Sequence, residues 1–206
     1  MTANPDGLVR TPTTPAERAA KVVSEILSPY IVLIVLPVAT AYYATDSLPS
    51  AIGWGLLVAG CVSFLPLGLI GYGAKKGLWE GKFVRNREAR RIPLLICIAG
   101  VVLALGLRAP CQAPHLLTTL SLTLLAISLP CLLITQWWKI SLHAATSAGA
   151  AVVMQLLYGW PLVLLWPLVA AICWSRVVLR DHTVAQILVG VLLGAILGGT
   201  TFITFQ

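Results

Sequence analysis

Two short polar segments of the chain carry side chains that could act on a phosphate group. The first, SRVVLRDHTVAQ, runs from Ser175 to Gln186, and the second, KISLH, runs from Lys139 to His143. Arginine and lysine bind phosphate oxygens, and arginine can do so through two parallel N–H groups. Of two histidines, one can attack phosphorus while the other protonates the leaving oxygen, because both forms of imidazole are accessible near neutral pH. These residue types predict a site that transfers or hydrolyses a phosphoryl group.

The rest of the chain has the composition of an integral membrane protein. Of its 206 residues, 58% are apolar and only 10% are charged, and the mean hydropathy is +0.91. Helices satisfy their own backbone hydrogen bonds in lipid, so they are the expected elements. We predict an all-α, polytopic transmembrane helical bundle over residues 26–206, preceded by a polar, disordered tail over residues 1–25.

Seven apolar runs approach or exceed the roughly 20 residues that a helix needs to cross a bilayer. They are 26–45, 51–73, 92–108, 116–136, 143–158, 160–175 and 183–204. They predict six or seven membrane-crossing segments, six if the two shortest runs form a re-entrant hairpin. A stripe of small residues lies within the last run, at Gly190, Gly194, Gly198 and Gly199. Such a stripe predicts close helix packing, and a homodimer face is the alternative.

The distribution of charge indicates the orientation of this bundle. With these crossings, the tail and the segments 74–91, 137–142 and 176–182 share one side, which holds every lysine and arginine except Arg108. The excess of cations in cytoplasmic loops then predicts a cytoplasm-facing site, in the cell inner membrane. Cations recruited to bind a phosphate would produce the same asymmetry, and the segment 74–91 could also be an anchor to anionic headgroups.

The segment SRVVLRDH, which ends at His182, resembles the third signature of the type 2 phosphatidic acid phosphatase (PAP2) superfamily, Ser-Arg, five residues, His. The tripeptide SLH, which ends at His143, resembles the second signature, Pro-Ser-Gly-His. Lys82 and Arg90 lie where the first signature, Lys, six residues, Arg-Pro, would occur, with one residue more between them. The segments follow the family order, and the resemblance covers roughly residues 75–200. It implies a PAP2-like core within the bundle.

The resemblance implies a metal-independent lipid phosphatase that acts through a phosphohistidine. His182 would be the nucleophile, His143 the general acid, and Arg176 with Ser141 the clamp on the phosphate. Further candidates for binding the phosphate are Ser175, Lys139, Arg90 and Lys82. Gln186 stands where the family has an aspartate, four residues after the nucleophile. An amide can orient the imidazole, but it cannot supply the negative charge that stabilises an imidazolium.

The expected partners are a lipid phosphate or diphosphate, such as a prenyl diphosphate or phosphatidate, and membrane lipids, without nucleic acid. We expect no metal ion or other cofactor, because the acidic residues and histidines lack ligand spacing and the five cysteines occur singly. Two alternatives remain: an enzyme that ionises a prenyl diphosphate, of the terpene cyclase or transferase type, or a non-catalytic protein that binds or transports lipid phosphates. Ser141 also suits a helix N-cap, and Asp181 is expected to cap the last helix.

Overall fold

A computed structural model describes residues 13–79, 84 and 88–206 of the chain. The helices in chain order are α1 (Pro15–Ile26), α2 (Pro29–Thr45), α3 (Leu48–Ala59), α4 (Leu65–Lys75), α5 (Arg91–Cys111), α6 (His115–Thr135), α7 (Leu142–Tyr158), α8 (Trp166–Val178) and α9 (Val184–Phe205). A π-helical turn (Gly60–Phe64) joins α3 to α4, and short 3₁₀ turns (Glu88–Arg90 and Trp160–Leu165) precede α5 and α8. The described residues contain helices and connections without strands, which confirms the all-α prediction.

Most of the helical segments are long and apolar enough to lie across a bilayer. Within the described residues, five such segments reach the required length: Pro15–Thr45, Leu48–Lys75, His115–Thr135, Trp160–Val178 and Val184–Phe205. Two shorter apolar helices complete the set, Arg91–Leu107 and Leu142–Tyr158. Together they correspond to the seven apolar runs of the sequence, and the first segment also includes α1. The predicted polytopic bundle is confirmed, and the protein is an integral membrane protein.

A helix, α1, occupies residues for which the sequence predicted a disordered tail, so that prediction is wrong for residues 15–25. Thr14 begins α1 with a capping box: its hydroxyl accepts the Glu17 N–H at 3.2 Å, and the Glu17 carboxylate accepts the Thr14 N–H at 3.2 Å. Ala20 and Ser24 lie one turn apart and are buried, and α1 packs against α8. This packing explains why α1 is ordered, because a helix of this length is only marginally stable by itself.

The helix α7 lies at the centre of the bundle, where it packs against α2, α6, α8 and α9. Its buried face consists largely of small residues: Ala144, Ala145, Ala148, Gly149 and Ala151. A Cβ atom at Gly190 of α9 would lie 2.7 Å from the carbonyl oxygen of Ser141, so only glycine permits this approach. The predicted close packing of the glycine stripe is confirmed, within the chain. It places the start of α9 against the start of α7, while a homodimer stays a prediction.

The π-helical turn brings α2 and α5 together around the same end of the bundle. The Ser63 hydroxyl of this turn donates a hydrogen bond to the carbonyl oxygen of Tyr30, near the start of α2, at 2.8 Å. On the other side, the Cys61 carbonyl oxygen lies directly against Gly100 of α5, where a Cβ atom would clash. These two contacts set the spacing of helices that form the wall of the cavity described below.

Candidate active site

The chain turns sharply between α8 and α9 and folds back over the end of α8. Two residues after α8 ends, Arg180 has the left-handed conformation, with φ at 54°. The backbone N–H groups of Asp181 and His182 then both donate to the carbonyl oxygen of Arg176, at 3.1 and 3.3 Å. This turn converts the sequence spacing between Arg176 and His182 into spatial proximity.

The guanidinium of Arg176 is buried and has partners on two sides. Its Nη2 forms an ion pair with Oδ2 of Asp181 at 2.6 Å, and its Nη1 donates to the Ser24 hydroxyl at 2.5 Å. Arg176 and Asp181 are only 3% and 4% exposed. The expectation that Asp181 caps α9 is therefore wrong, because its carboxylate lies on the arginine.

Thr183 caps α9 in place of Asp181. Its hydroxyl accepts the Gln186 N–H at 3.3 Å, and the Gln186 side-chain oxygen accepts the Thr183 N–H at 3.1 Å. These reciprocal bonds form a capping box, for which Thr-x-x-Gln is a sequence signature. The signature is present in the chain, so sequence reasoning could have found this cap.

The imidazole of His182 is oriented by two oxygen atoms. Its Nδ1 lies 3.3 Å from the Lys139 carbonyl oxygen and 3.3 Å from the Gln186 side-chain oxygen. Both atoms are acceptors, since the Thr183 N–H identifies which end of the amide faces the ring. Nδ1 therefore carries the hydrogen, and Nε2 keeps its lone pair. A nucleophilic histidine needs this tautomer.

The surroundings of His182 favour its neutral form. Burial lowers the pKa of His182 well below the usual 6.5, and the positive charges of Arg90, Arg176 and Lys139 lower it further. Since a histidine with a lowered pKa loses its proton at lower pH, the ring is neutral at pH 7. A neutral imidazole can attack an electrophile.

Arg90 joins the segment before α5 to the segment before α7. It is 8% exposed; its Nε donates to the Val84 carbonyl oxygen at 2.6 Å, and its Nη1 donates to the Ile140 carbonyl oxygen at 3.3 Å. Lys139 is half-buried beside His182. The remaining candidate of the first signature, Lys82, lies outside the described residues.

Two candidate serines have structural partners at this end of the bundle. The Ser141 hydroxyl accepts the Ala144 N–H at 3.4 Å as the N-cap of α7, as the sequence allowed. The Ser175 hydroxyl donates to the Ile172 carbonyl oxygen at 2.7 Å, within α8. Both serines are fully buried, and both lie outside the described wall of the cavity. Their hydroxyls thus support helices that carry other site residues.

A cavity of about 140 Å³ brings the remaining candidates together. Its polar end is formed by Arg90, His143, Arg176 and His182. The rest of its wall is mainly apolar and comes from α2 and α4 to α6, with Tyr30, Leu33, Ile70, Leu94, Val101 and Leu124 among its residues. The α5 residues of this wall, from Pro93 to Val101, span about 12 Å along the helix, at 1.5 Å per residue. The cavity is therefore elongated along α5, with cationic residues at one end and mainly apolar residues over the rest of its wall.

Sequence reasoning missed the contribution of the first two helices to this site. Ser24 contacts Arg176, and Pro29, Tyr30 and Leu33 line the cavity. No local pattern marks Ser24, because its partner is 152 residues away in the chain. Only the packing of α1 against α8 identifies it.

Comparison with known proteins agrees with this geometry. Residues 115–206 match the model of the PAP2 superfamily, while no curated protein and no solved structure matches the chain. The matched region runs from α6 to the end of the chain and contains His143, Arg176 and His182; Arg90 precedes it. The family indicates phosphatase activity on phosphate esters. With this match, and with the segments that resemble the second and third signatures converging on one cavity, residues 115–206 are similar to the PAP2 superfamily.

Proposed function

We propose that the protein is a membrane lipid phosphatase that removes a phosphate or diphosphate group through a phosphohistidine intermediate. The observation that carries this proposal is the two-part cavity. Two arginines and two histidines form its polar end, and apolar helix faces form the rest. Arginine suits phosphate oxygens, while the apolar wall suits a hydrocarbon chain. A lipid whose head is a phosphate matches both parts.

The first step follows from the orientation of His182. Its Nε2 lone pair attacks phosphorus, and the bond between phosphorus and the lipid-side oxygen breaks. His143, at the same end of the cavity, donates a proton to that oxygen. The products of this step are the protonated leaving group and a phosphohistidine. Arg176 and Arg90 stabilise the charge on the phosphoryl oxygens during the transfer.

The second step returns the enzyme to its starting state. Water attacks phosphorus, His143 takes a proton from this water, and the bond between phosphorus and His182 breaks. Inorganic phosphate leaves when a monophosphate group was transferred. The side-chain oxygen of Gln186 and the carbonyl oxygen of Lys139 hold the His182 ring at Nδ1 through both steps. Both oxygens are neutral, so they compensate only part of the positive charge that the phosphorylated imidazole carries.

The elongated apolar wall suits an extended hydrocarbon chain, so we propose a prenyl diphosphate as substrate, with phosphatidate-like lipids as the competing class. The cationic side of the bundle faces the cytoplasm of the cell inner membrane in this proposal, where prenyl diphosphates arise from soluble precursors. A reporter fused to residue 1 tests the orientation. Activity of a reporter that works only outside the cytoplasm would contradict it.

The function is tested by measuring phosphate release by the purified protein in the presence of EDTA. Farnesyl diphosphate, geranylgeranyl diphosphate and phosphatidate are the substrates, and mass spectrometry identifies the organic products. Release of phosphate with a prenyl alcohol, prenyl monophosphate or diacylglycerol supports the proposal. A hydrocarbon product would instead identify an ionising enzyme of the cyclase or transferase type, and binding without turnover would identify a binding or transport protein.

Gln186→Glu is expected to shift the pH dependence of the reaction. Glutamate keeps the oxygen that accepts the Thr183 N–H and adds a negative charge at Nδ1 of His182. This charge raises the pKa of His182, so protonation of the nucleophile occurs at higher pH. The acid limb of the kcat/KM profile should move upward by about 1–3 pH units, and pH–rate profiles of both proteins measure the shift.

Gln136→Glu is the matched control for this change, because it adds the same charge at the end of α6, away from the cavity wall. Its acid limb should coincide with that of the unmodified protein. An unshifted limb in Gln186→Glu would show that protonation of a group other than His182 controls this part of the profile.

Val101→Phe is expected to select against long lipid chains. Val101 is 5% exposed and lines the apolar part of the cavity, so a phenyl ring there would occupy space that the hydrocarbon chain of the lipid needs. We expect kcat/KM to fall about 10-fold for geranylgeranyl diphosphate, from the roughly 1–3 kcal/mol cost of such a size change, and to stay unchanged for phenyl phosphate. Rate measurements on both substrates test this difference.

Val102→Phe provides the control for the same helix, since Val102 is 52% exposed on the outer face. Its activity on both substrates should equal that of the unmodified protein. Equal losses on the long and the short substrate in Val101→Phe would place the lipid chain elsewhere.

A further inference from the structure

The helix α1 reaches the polar end of the site although it precedes the region matched to the family. Ser24, in its last turn, is 2% exposed, and its hydroxyl accepts a hydrogen bond from Nη1 of Arg176 at 2.5 Å. Ala20, one turn earlier, is fully buried, and α1 packs against α8. Small side chains at both positions allow the backbone of α1 to come close to α8.

The contact with Ser24 complements the ion pair of Arg176 with Asp181. The carboxylate contacts Nη2 at 2.6 Å, and the Asp181 N–H is bonded to the Arg176 carbonyl oxygen at 3.1 Å. Ser24 therefore engages one terminal nitrogen of the guanidinium and Asp181 engages the other. A guanidinium is planar, so two contacts at different nitrogens define both its position and its rotation.

We propose that Ser24 is a positioning residue for the phosphate-binding Arg176. Ser24 and Asp181 both lie outside the described wall of the cavity, whereas Arg176 is part of that wall. Ser24 thus acts on the phosphate only through the arginine. Its hydroxyl prevents the guanidinium from turning toward Asp181 alone, and so keeps the arrangement of N–H groups that a phosphate meets. This inference rests on the proposed function, because it takes phosphate as the ligand of Arg176.

The test measures the binding of inorganic phosphate to the detergent-solubilised full chain by calorimetry, together with turnover of geranylgeranyl diphosphate. Four proteins form a double-mutant cycle: the unmodified chain, Ser24→Ala, Arg176→Lys and the double variant. We expect Ser24→Ala to weaken phosphate binding about 10-fold, the size of one hydrogen bond to a charged group. In the Arg176→Lys background the same change should have less than about a twofold effect, because the fork that Ser24 orients is absent.

Ser28→Ala is the matched control, since Ser28 is also buried, at 4% exposure, and is the N-cap residue of α2 without a side-chain capping bond in the described part of the chain. Phosphate binding should be unchanged in it. Thermal unfolding of every variant separates loss of fold from loss of binding. Ser24→Thr keeps the hydroxyl, so we expect it to bind phosphate about as tightly as the unmodified chain does.

The positioning role would be overturned if Ser24→Ala weakened phosphate binding equally in the unmodified chain and in Arg176→Lys. An unchanged phosphate affinity of the Ser24→Ala single variant would also overturn it. The proposed function has a separate readout. A chain that binds phosphate with the expected cycle and yet releases none from any lipid substrate would support the role of Ser24 and overturn the phosphatase assignment.

Discussion

His182→Ala is expected to lower the rate of phosphate release by at least about 10³-fold, the largest effect of any single change in this site. Contacts at Nδ1 fix the His182 imidazole and leave Nε2 with the lone pair that would attack phosphorus. Alanine removes the proposed nucleophile while leaving the Thr183–Gln186 cap of α9 in place. Initial rates with EDTA present, on the substrate that the unmodified protein turns over fastest, measure the loss.

The same experiment can detect the intermediate directly. Rapid quenching at alkaline pH of a reaction with a substrate labelled in its terminal phosphate should trap a labelled, acid-labile phosphoprotein, and His182→Ala should trap none. His115→Ala is the control, because His115 is exposed at the start of α6 and lies outside the cavity wall. Undiminished turnover in His182→Ala would rule out this histidine as the nucleophile.

Arg176→Lys is expected to lower kcat/KM about 10²-fold, the second largest effect. Lysine keeps the positive charge that Asp181 faces in the buried pair, but it cannot present two parallel N–H groups to a phosphate. Alanine would be a poorer test, since removal of one partner of a buried ion pair costs about 3–5 kcal/mol and could unfold the protein. Steady-state kinetics and thermal unfolding together measure the two effects.

Arg180→Lys is the matched control for this change. Arg180 lies in the turn that follows α8, and its side chain is exposed. Its backbone is left-handed, and arginine and lysine adopt that conformation equally well. Its kcat/KM should stay within about twofold of the original value. A similar loss in Arg180→Lys would indicate that the guanidinium of Arg176 has no special part in holding the phosphate.

The helices, and the polar segments that resemble the second and third PAP2 signatures, have local signals in the sequence. Apolar runs reveal segments that lipid can surround, and Ser141, His143, Arg176 and His182 occur in short motifs. The Thr183–Gln186 cap had an equally local signal. By contrast, the prediction of a disordered N-terminal tail was wrong for residues 15–25, since the order of α1 depends on α8, about 150 residues away along the chain, as in the Ser24–Arg176 contact.

The amino-acid sequence by itself determined that this is a helical membrane protein with two histidines and several cations suited to phosphate chemistry. Tertiary structure alone decided which of these side chains share a cavity and which support a helix. Asp181 shows the reason: its neighbours in sequence favoured a helix cap, yet its carboxylate pairs with Arg176. A charge buried in the bundle needs its counter-charge more than a helix end needs a cap, and only the folded chain shows where that counter-charge lies.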